Sequence, residues 1–380
     1  MYIKNLYANN FRNFNKISLE FSPQVNFFLG RNGQGKTNLL ESLYLLIKGD
    51  SFRYSNNETF INHNQNKELS EFEKTRVKSI FIENDLSFEL EVGIENKSKL
   101  FLLNKKKVSS SEIQKKFNCI LFSPESLSFI KESSEFRREL IDEFLKSIHS
   151  KNVDIIFEYK KILRSRNKLL KENKEGRLEK DNFVPLFEAI NSLFIKKACE
   201  LVYARVEAIK AIKEDINDHM RYINQENVDI FVDYVASGES YLSFSINEIE
   251  QKLSHRLNSL KVAEIAYGSS LVGPHKHEII FLYNQKDSRI FCSQGQQRAI
   301  ILSFKMAQIV YHRKTHGWYP VLMLDDVLSE LDFEKKMRLI SFLEKINTQI
   351  FITATELDRD TKFSSSTYKI TNMVQGKILD

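Results

Sequence analysis

The stretch Gly30-Arg31-Asn32-Gly33-Gln34-Gly35-Lys36-Thr37 constrains this chain more than any other. It fits G-x-x-x-x-G-K-[ST], and its flanks supply the setting that motif needs. Before it, Phe21 to Leu29 reads as a strand, because Val25, Phe27, Phe28 and Leu29 are apolar or β-favouring and end at a glycine. After it, Asn38 to Leu46 reads as a buried helix. Strand, glycine loop and helix in that order build a phosphate cradle. Backbone N–H groups close around an anion at a helix N-terminus, Lys36 reaches the β/γ oxygens and Thr37 ligates Mg²⁺. ATP with Mg²⁺ is thus the expected cofactor pair. Gly30, Arg31, Asn32, Gly33, Gln34, Gly35, Lys36, Thr37 and Asn38 are the candidate nucleotide-binding residues.

Two later stretches complete the pattern. Val321-Leu322-Met323-Leu324-Asp325-Asp326 is a short apolar run ending in two acids, as expected of a central parallel strand whose end meets the ligand. Asp325 is assigned to Mg²⁺, and Asp326 to polarising the attacking water. Taken alone, the run is equally a strand ending in a polar turn. Ser293-Gln294-Gly295-Gln296-Gln297-Arg298 precedes the apolar helix that starts at Ala299. A serine and glycine there offer a hydroxyl and N–H groups under a favourable dipole, which makes a second phosphate-reading element; the plainer reading is an ordinary helix cap.

With those motifs in place, the chain resembles the RecF family of bacterial recombinational repair, relatives of SMC proteins among ABC ATPases. The resemblance runs along nearly the whole chain. It includes Asn10-Phe11-Arg12-Asn13-Phe14, Asn38-Leu39-Leu40-Glu41, Ser51-Phe52-Arg53 and Phe122-Ser123-Pro124-Glu125-Ser126-Leu127. It continues through Arg137-Arg138, Arg166 to Leu170, Gly273-Pro274-His275, the Ser293 signature and Asp325-Asp326-Val327-Leu328-Ser329-Glu330-Leu331-Asp332. The family's usual basic-then-acidic run after His275 is here Lys276-His277-Glu278. Where most ABC ATPases carry glutamate after the first acid, this chain and its family carry the shorter aspartate, here Asp326, which fits slow hydrolysis.

The resemblance implies an α/β fold: an ABC/SMC-type P-loop ATPase head with an antiparallel β lobe and an inserted helical arm. The expected domains are residues 1–122 (head, N-terminal part), 123–267 (helical arm) and 268–380 (head, C-terminal part). Ile80 to Val92 alternates as a β-hairpin, and Gln349 to Thr355 reads as a last core strand. Ile155, Ile156, Tyr159, Ile162, Leu163, Leu169 and Leu170 recur at helical spacing, and a longer helix begins near Asn182 with Pro185 in its first turn. A transporter cassette would place Lys36 and Ser293 much closer, whereas an SMC protein would insert a far longer coiled coil.

The resemblance also implies a homodimer formed on ATP. Ser293, Gly295 and Gln296 of one subunit would close over the γ-phosphate held by Lys36 and Thr37 of the other, with Asp332 at the interface and Arg12 approaching nucleotide or DNA. Lys36, Asp326 and Ser293 then share the catalytic work. The implied role is a weak, DNA-dependent ATPase of repair, replication and the SOS response. It would mark single-stranded gaps and single-strand/double-strand junctions and help RecO- and RecR-like partners load recombinase. Architectural DNA binding or a defence role is the alternative, while a nuclease of the overcoming-lysogenization type would require a further metal-binding domain.

Composition agrees. The 380 residues are 42% hydrophobic with a net charge of +6, enough for a large core and consistent with nucleic acid. No signal peptide or membrane span is expected, which suggests the bacterial cytoplasm and nucleoid. Cys119, Cys199 and Cys292 lack metal-ligand spacing and read as reduced thiols. Candidate DNA contacts are Lys105, Lys106, Lys107, Lys115, Lys116, Arg137, Arg138 and the face carrying Lys160, Arg164, Arg166 and Lys171. Each is equally read as a solvated face.

Overall fold

The computed structural model describes residues 1–53, 57–62, 75–95, 98–356 and 368–379. Chain order begins with β1 (Tyr2–Phe11), β2 (Phe14–Glu20), β3 (Val25–Leu29) and helix α1 (Lys36–Lys48). Strands β4 (Thr75–Glu83), β5 (Leu86–Glu95), β6 (Ser98–Leu103) and β7 (Lys106–Val108) follow, then α2 (Ser110–Lys116), β8 (Cys119–Phe122) and the short α3 (Pro124–Leu127). Helices α4 (Ser134–Ile148), α5 (Ser150–Lys174) and α6 (Lys180–Asn224) lead to β9 (Ile230–Ala236), β10 (Glu239–Ser240) and α7 (Ile246–Tyr267). Next come β11 (Glu278–Tyr283), β12 (Lys286–Asp287), α8 (Ser288–Phe291) and α9 (Gln294–His316). The last described elements are β13 (Val321–Asp325), α10 (Phe333–Glu344), β14 (Ile350–Ala354), β15 (Tyr368–Val374) and β16 (Lys377–Leu379). Contacts divide the chain into two compact units: Met1–Leu127 with Tyr222–Asn224 and Ile309–Asp380, and Ser128–Arg221 with Gln225–Gln308.

The first unit is built on two sheets. One is antiparallel, in the order β2-β1-β4-β5-β6-β7. Its hairpin turns Asn84-Asp85 and Asn104-Lys105 have positive φ at both central residues, a conformation that asparagine and aspartate tolerate. The other has the order β16-β15-β3-β14-β13-β8, with β15, β3, β14, β13 and β8 parallel. Helix α1 packs on strands of both sheets, which is why its buried residues include every position from Leu39 to Ile47. Leu40, Leu43, Leu46, Phe28, Phe81 and Phe351 share one core around it.

Local competition trims the sequence-based expectations. The strand expected from Phe21 starts only at Val25, because Ser22 donates its N–H to Asn26 Oδ1 and accepts from Asn26 Nδ2, closing a loop there. The strand at Ile350–Ala354 is not the last, since β15 adds to the sheet beside β3. Only Thr371 and Met373 of β15 are buried, so its apolar signal is faint.

In the second unit, helices α4 to α7 accompany a four-stranded antiparallel sheet, β10-β9-β11-β12. The sequence reading carried helices through this region and did not foresee β9 and β10. Because β9 pairs with β11 from Ile230↔Tyr283 to Val235↔Glu278, the segment after Gly268 belongs by contact to this unit. The boundary therefore falls after Gln308, whereas the expectation put it at 267.

Candidate functional site

The glycine loop joins β3 to α1, and the start of α1 is left open to a ligand. Its N-cap is Gly35, no side chain caps it, and its first turn holds no acid. The orphan N–H groups of a helix N-terminus therefore face outward with their dipole unopposed. Two glycines are required by their neighbours. A Cβ on Gly35, whose φ is +104°, would lie 2.7 Å from Asn13 Nδ2, and one on Gly30 would lie 2.4 Å from the Met373 carbonyl. Gln34 ties the loop to the β15–β16 turn: its carbonyl accepts from Gly376 N–H at 3.0 Å and its Oε1 from Gln375 N–H at 2.5 Å. Arg31, Asn32 and Gly33 are exposed.

Lys36 folds back over this loop. Its ammonium donates to the carbonyls of Gly30 at 2.6 Å and Arg31 at 3.1 Å. Burial lowers its pKa, opposed by the nearby charges of Asp326 and Asp325. A partly desolvated cation at the uncapped N-terminus of α1 is a phosphate-binding arrangement.

The acids arrive from β13, buried along its length between β14 and β8. Asp325 is only 4% exposed, and burial raises its pKa; hydrogen bonds from Thr353 and Thr37 act against that rise. The influence of Thr37 on Asp325 places the two residues assigned to Mg²⁺ near each other, although nearly the whole chain separates them in sequence. Asp326 adopts the left-handed conformation (φ 50°, ψ 21°), and its carboxylate caps nothing. Asn38 accepts from Arg53 Nη1 at 2.8 Å and donates to Asn13 Oδ1 at 2.7 Å.

Two residues here escaped the sequence reading of the site. Thr353 lies level with Asp325 on the neighbouring strand and bonds to both acids. Arg53 was noted only as part of a family stretch, yet its charge also favours ionised Asp325. Pattern matching offered no signal for either, since both act through strand register and loop return. Arg12, expected to approach nucleotide or DNA, instead clasps buried Glu41 at 2.8 and 2.5 Å and donates to the Thr59 carbonyl at 2.8 Å. Ser51 also donates to Glu41. Asp332 caps α10, accepting from Lys335 N–H at 2.9 Å.

Ser293 belongs to the second unit. It caps α9 reciprocally: Gln296 N–H donates to its hydroxyl at 3.3 Å, and its own N–H donates to Gln296 Oε1 at 2.9 Å. Both side chains are therefore ordered, and the ordinary-cap reading is realised. Gly295 is different. A Cβ there would meet nothing nearer than Ser293 Oγ at 4.0 Å, so no contact within the described residues demands a glycine. Cys292 sits beside the signature with its pKa raised by burial, which keeps it a thiol.

The candidate DNA contacts separate into two groups. Arg166 is fully buried, pairing with Glu264 at 2.6 Å and donating to Asn191 and Ser270. Arg137 is 3% exposed and grips Glu278 together with the carbonyls of Ile130, Glu132 and Ile279. Neither presents a guanidinium to a phosphate, so both are withdrawn as DNA contacts; packing accounts for them. Arg138 is half-buried and donates to Ser134 Oγ and the His277 carbonyl. Lys105, Lys106, Lys107, Lys115, Lys160, Arg164 and Lys171 are exposed, and half-buried Lys116 lies over the Phe88 ring. In the Lys276-His277-Glu278 departure, His277 turns inward to the Tyr234 hydroxyl and Glu278 pairs with Arg137 and Arg289. Lys276 alone is exposed.

Among the described residues no helix is long and apolar enough to cross a membrane. None of their His, Cys, Asp and Glu side chains form a cluster of three or more able to hold a metal.

The family model for the RecF/RecN/SMC N terminal domain matches residues 2–378. The DNA replication and repair protein RecF of Lactobacillus acidophilus is 32% identical over 360 residues, covering 94% of this chain and 93% of that protein. A solved structure of the recombination mediator protein RecF-ATP in the RecFOR pathway aligns with a TM-score of 0.85 and 31% identity, covering 99% of this chain and 96% of the other. An Smc head domain from Pyrococcus furiosus shares the fold at a TM-score of 0.56 and 16% identity. With its glycine loop, twin acids and inserted helices, and with relatives matched along its length, this chain belongs to the RecF family of DNA replication and repair proteins.

Proposed function

We propose that this protein binds ATP with Mg²⁺ at Lys36, Thr37, Asp325 and Asp326 and hydrolyses it slowly, as a switch that pairs two copies on DNA. The observation that carries this reading is the gathering of buried Asp325, the Thr37 hydroxyl near it and Lys36 at an uncapped helix N-terminus. A desolvated carboxylate with a hydroxyl against it suits a hard cation, so the residues fit Mg²⁺. When bound, the ion would offset charge developing on the phosphate oxygens.

The chain's own groups supply the rest. Lys36 and the N–H groups of the loop and α1 grip the phosphates, and the Asp326 carboxylate, free of any capping bond, orients the water that attacks. A carboxylate one methylene shorter than glutamate reaches less far, which suits a slow switch. Gly295 supports a shared site: with no internal reason for a glycine, its flatness is explained by the close approach of a phosphate from a second copy. Exposed Ile290 and Phe291 beside the signature, and Phe333 beside Asp332, supply apolar surface for such a pairing.

On DNA, exposed Lys105, Lys106, Lys107, Lys160 and Arg164 are assigned to phosphate contacts, which makes binding salt-dependent. Gap and junction recognition, RecO- and RecR-like partners, recombinase loading and a place on the nucleoid complete the proposal, supported by kinship with RecF. The test is molar mass by light scattering of wild type and Ser293→Arg, without nucleotide and with ATP, each with and without gapped DNA. Mass should double only with ATP and only in wild type. A wild-type mass indifferent to ATP refutes the shared-site switch.

A further inference from the structure

One side chain joins the two acids. Thr353 is 1% exposed and stands opposite Asp325 in the parallel register of β13 and β14. Its Oγ1 lies 2.8 Å from Asp325 Oδ1 and 2.9 Å from the backbone nitrogen of Asp326. The neighbours decide where its proton points. The Asp326 N–H can only donate, so the hydroxyl accepts there, and its single hydrogen goes to Asp325. A directed chain results, from Asp326 N–H to the Thr353 hydroxyl to the Asp325 carboxylate.

Each end of that chain sets something the site needs. Asp325 has one oxygen held by the Thr353 hydroxyl at 2.8 Å, and the Thr37 hydroxyl lies close enough to favour the ionised carboxylate. Asp326 occupies left-handed space, which a residue bearing a side chain holds only when its surroundings impose it. Its backbone is pinned at both ends: Thr353 accepts the N–H, and Ser329 Oγ donates to the carbonyl at 2.7 Å. With the backbone pinned and no cap made by the side chain, the direction in which the Asp326 carboxylate leaves the chain is determined by these two hydroxyls.

We infer that Thr353 is a positioning residue of the ATPase site, aiming the Asp325 carboxylate and holding the Asp326 backbone through one hydroxyl. The inference rests on the proposed ATPase function and deepens it. It assigns to one threonine the coupling between the metal-holding acid and the water-orienting acid. Valine has nearly the same shape and no hydroxyl, whereas serine keeps the hydroxyl and loses a methyl.

The experiment uses the full chain. ATP turnover and fluorescent-nucleotide binding are measured across a Mg²⁺ titration for wild type, Thr353→Val, Thr353→Ser, Asp326→Asn and the Thr353→Val/Asp326→Asn pair. Misplacement of reacting groups by about 1 Å costs on the order of 10²-fold in rate. Thr353→Val should therefore lower kcat by roughly that factor and leave nucleotide affinity without Mg²⁺ within about threefold. The Mg²⁺ concentration for half-maximal nucleotide binding should rise several-fold. Thr353→Ser should restore both. In the pair, the valine should add little to the asparagine's loss of kcat, because the Asp326 carboxylate it helps to aim is already gone, while the higher Mg²⁺ requirement, which runs through Asp325, should persist.

Unchanged kcat in Thr353→Val, beside an active wild type, sinks the positioning role and spares the ATPase reading. Equal loss in Thr353→Ser means that the methyl, and with it packing, was responsible. No turnover in wild type sinks both. Circular dichroism accompanies every variant, and if valine unfolds the protein, Thr353→Ala, which cannot clash, carries the same outcomes.

Discussion

In the helical unit, buried Arg166 spends its guanidinium on Glu264, Asn191 and Ser270, and Arg205 likewise faces Asp142 through two bonds. In the head unit, Lys36 is nearly as buried, but it donates to two backbone carbonyls, and the twin acids reach it only at longer range. Helix starts differ in the same way. Helix α7 begins with a complete capping box of Ser245 and Glu248, whereas α1 begins with a bare glycine. Fully paired buried charge is scaffold; a buried charge short of partners marks a place where a ligand completes the count.

That contrast breaks first at Lys36. Lys36→Met should cut ATP turnover by about 10²- to 10³-fold, as the loss of a charge that stabilises the transition state. Circular dichroism and the melting temperature should barely change, since no carboxylate is left orphaned. A melting temperature that fell together with turnover would put Lys36 among the structural charges.

Arg166 should behave in the opposite manner. Arg166→Met leaves Glu264 buried without its cation and should cost about 3–5 kcal/mol in denaturant unfolding. Arg166→Met with Glu264→Leu should recover most of it. A loss of DNA affinity in the single variant, with stability intact, would return Arg166 to the DNA contacts.

The smallest effect is one of pH. Burial, aided by the charges of Arg205, His275 and Arg138, lowers His277 to about 3, and burial lowers His275 to about 4. Both stay neutral in the folded chain, while the unfolded chain takes up protons below about pH 6.5. Their contribution is therefore complete above pH 6.5 and drains away as pH falls toward the folded values. His277→Gln should flatten the loss of stability between pH 7.5 and 5 by up to about 2 kcal/mol, read from urea unfolding at both values. An unchanged slope would mean that His277 is protonated in the folded state.

How much of this was legible in the sequence varies by residue. The glycine loop, the acid pair and the serine-headed helix were readable because each is a contiguous stretch whose chemistry demands a set order. The hairpin at Asn84-Asp85 was equally local. Arg137 and Arg166 were misread because a guanidinium facing DNA and one facing Glu264 or Glu278 look alike in a helical pattern. Strands β9 and β10 were missed for a related reason: β9 is held by β11, a partner more than forty residues away, across α7.

By itself, then, the sequence determined the class of site, since anion cradles and metal-holding acids are specified by residue type and short spacing. The tertiary structure alone decided which charges are saturated and which wait for a ligand. It alone set Thr353 between Asp325 and Asp326. Both depend on strand register and burial, and these arise only when segments distant in the chain close around one another and exclude water.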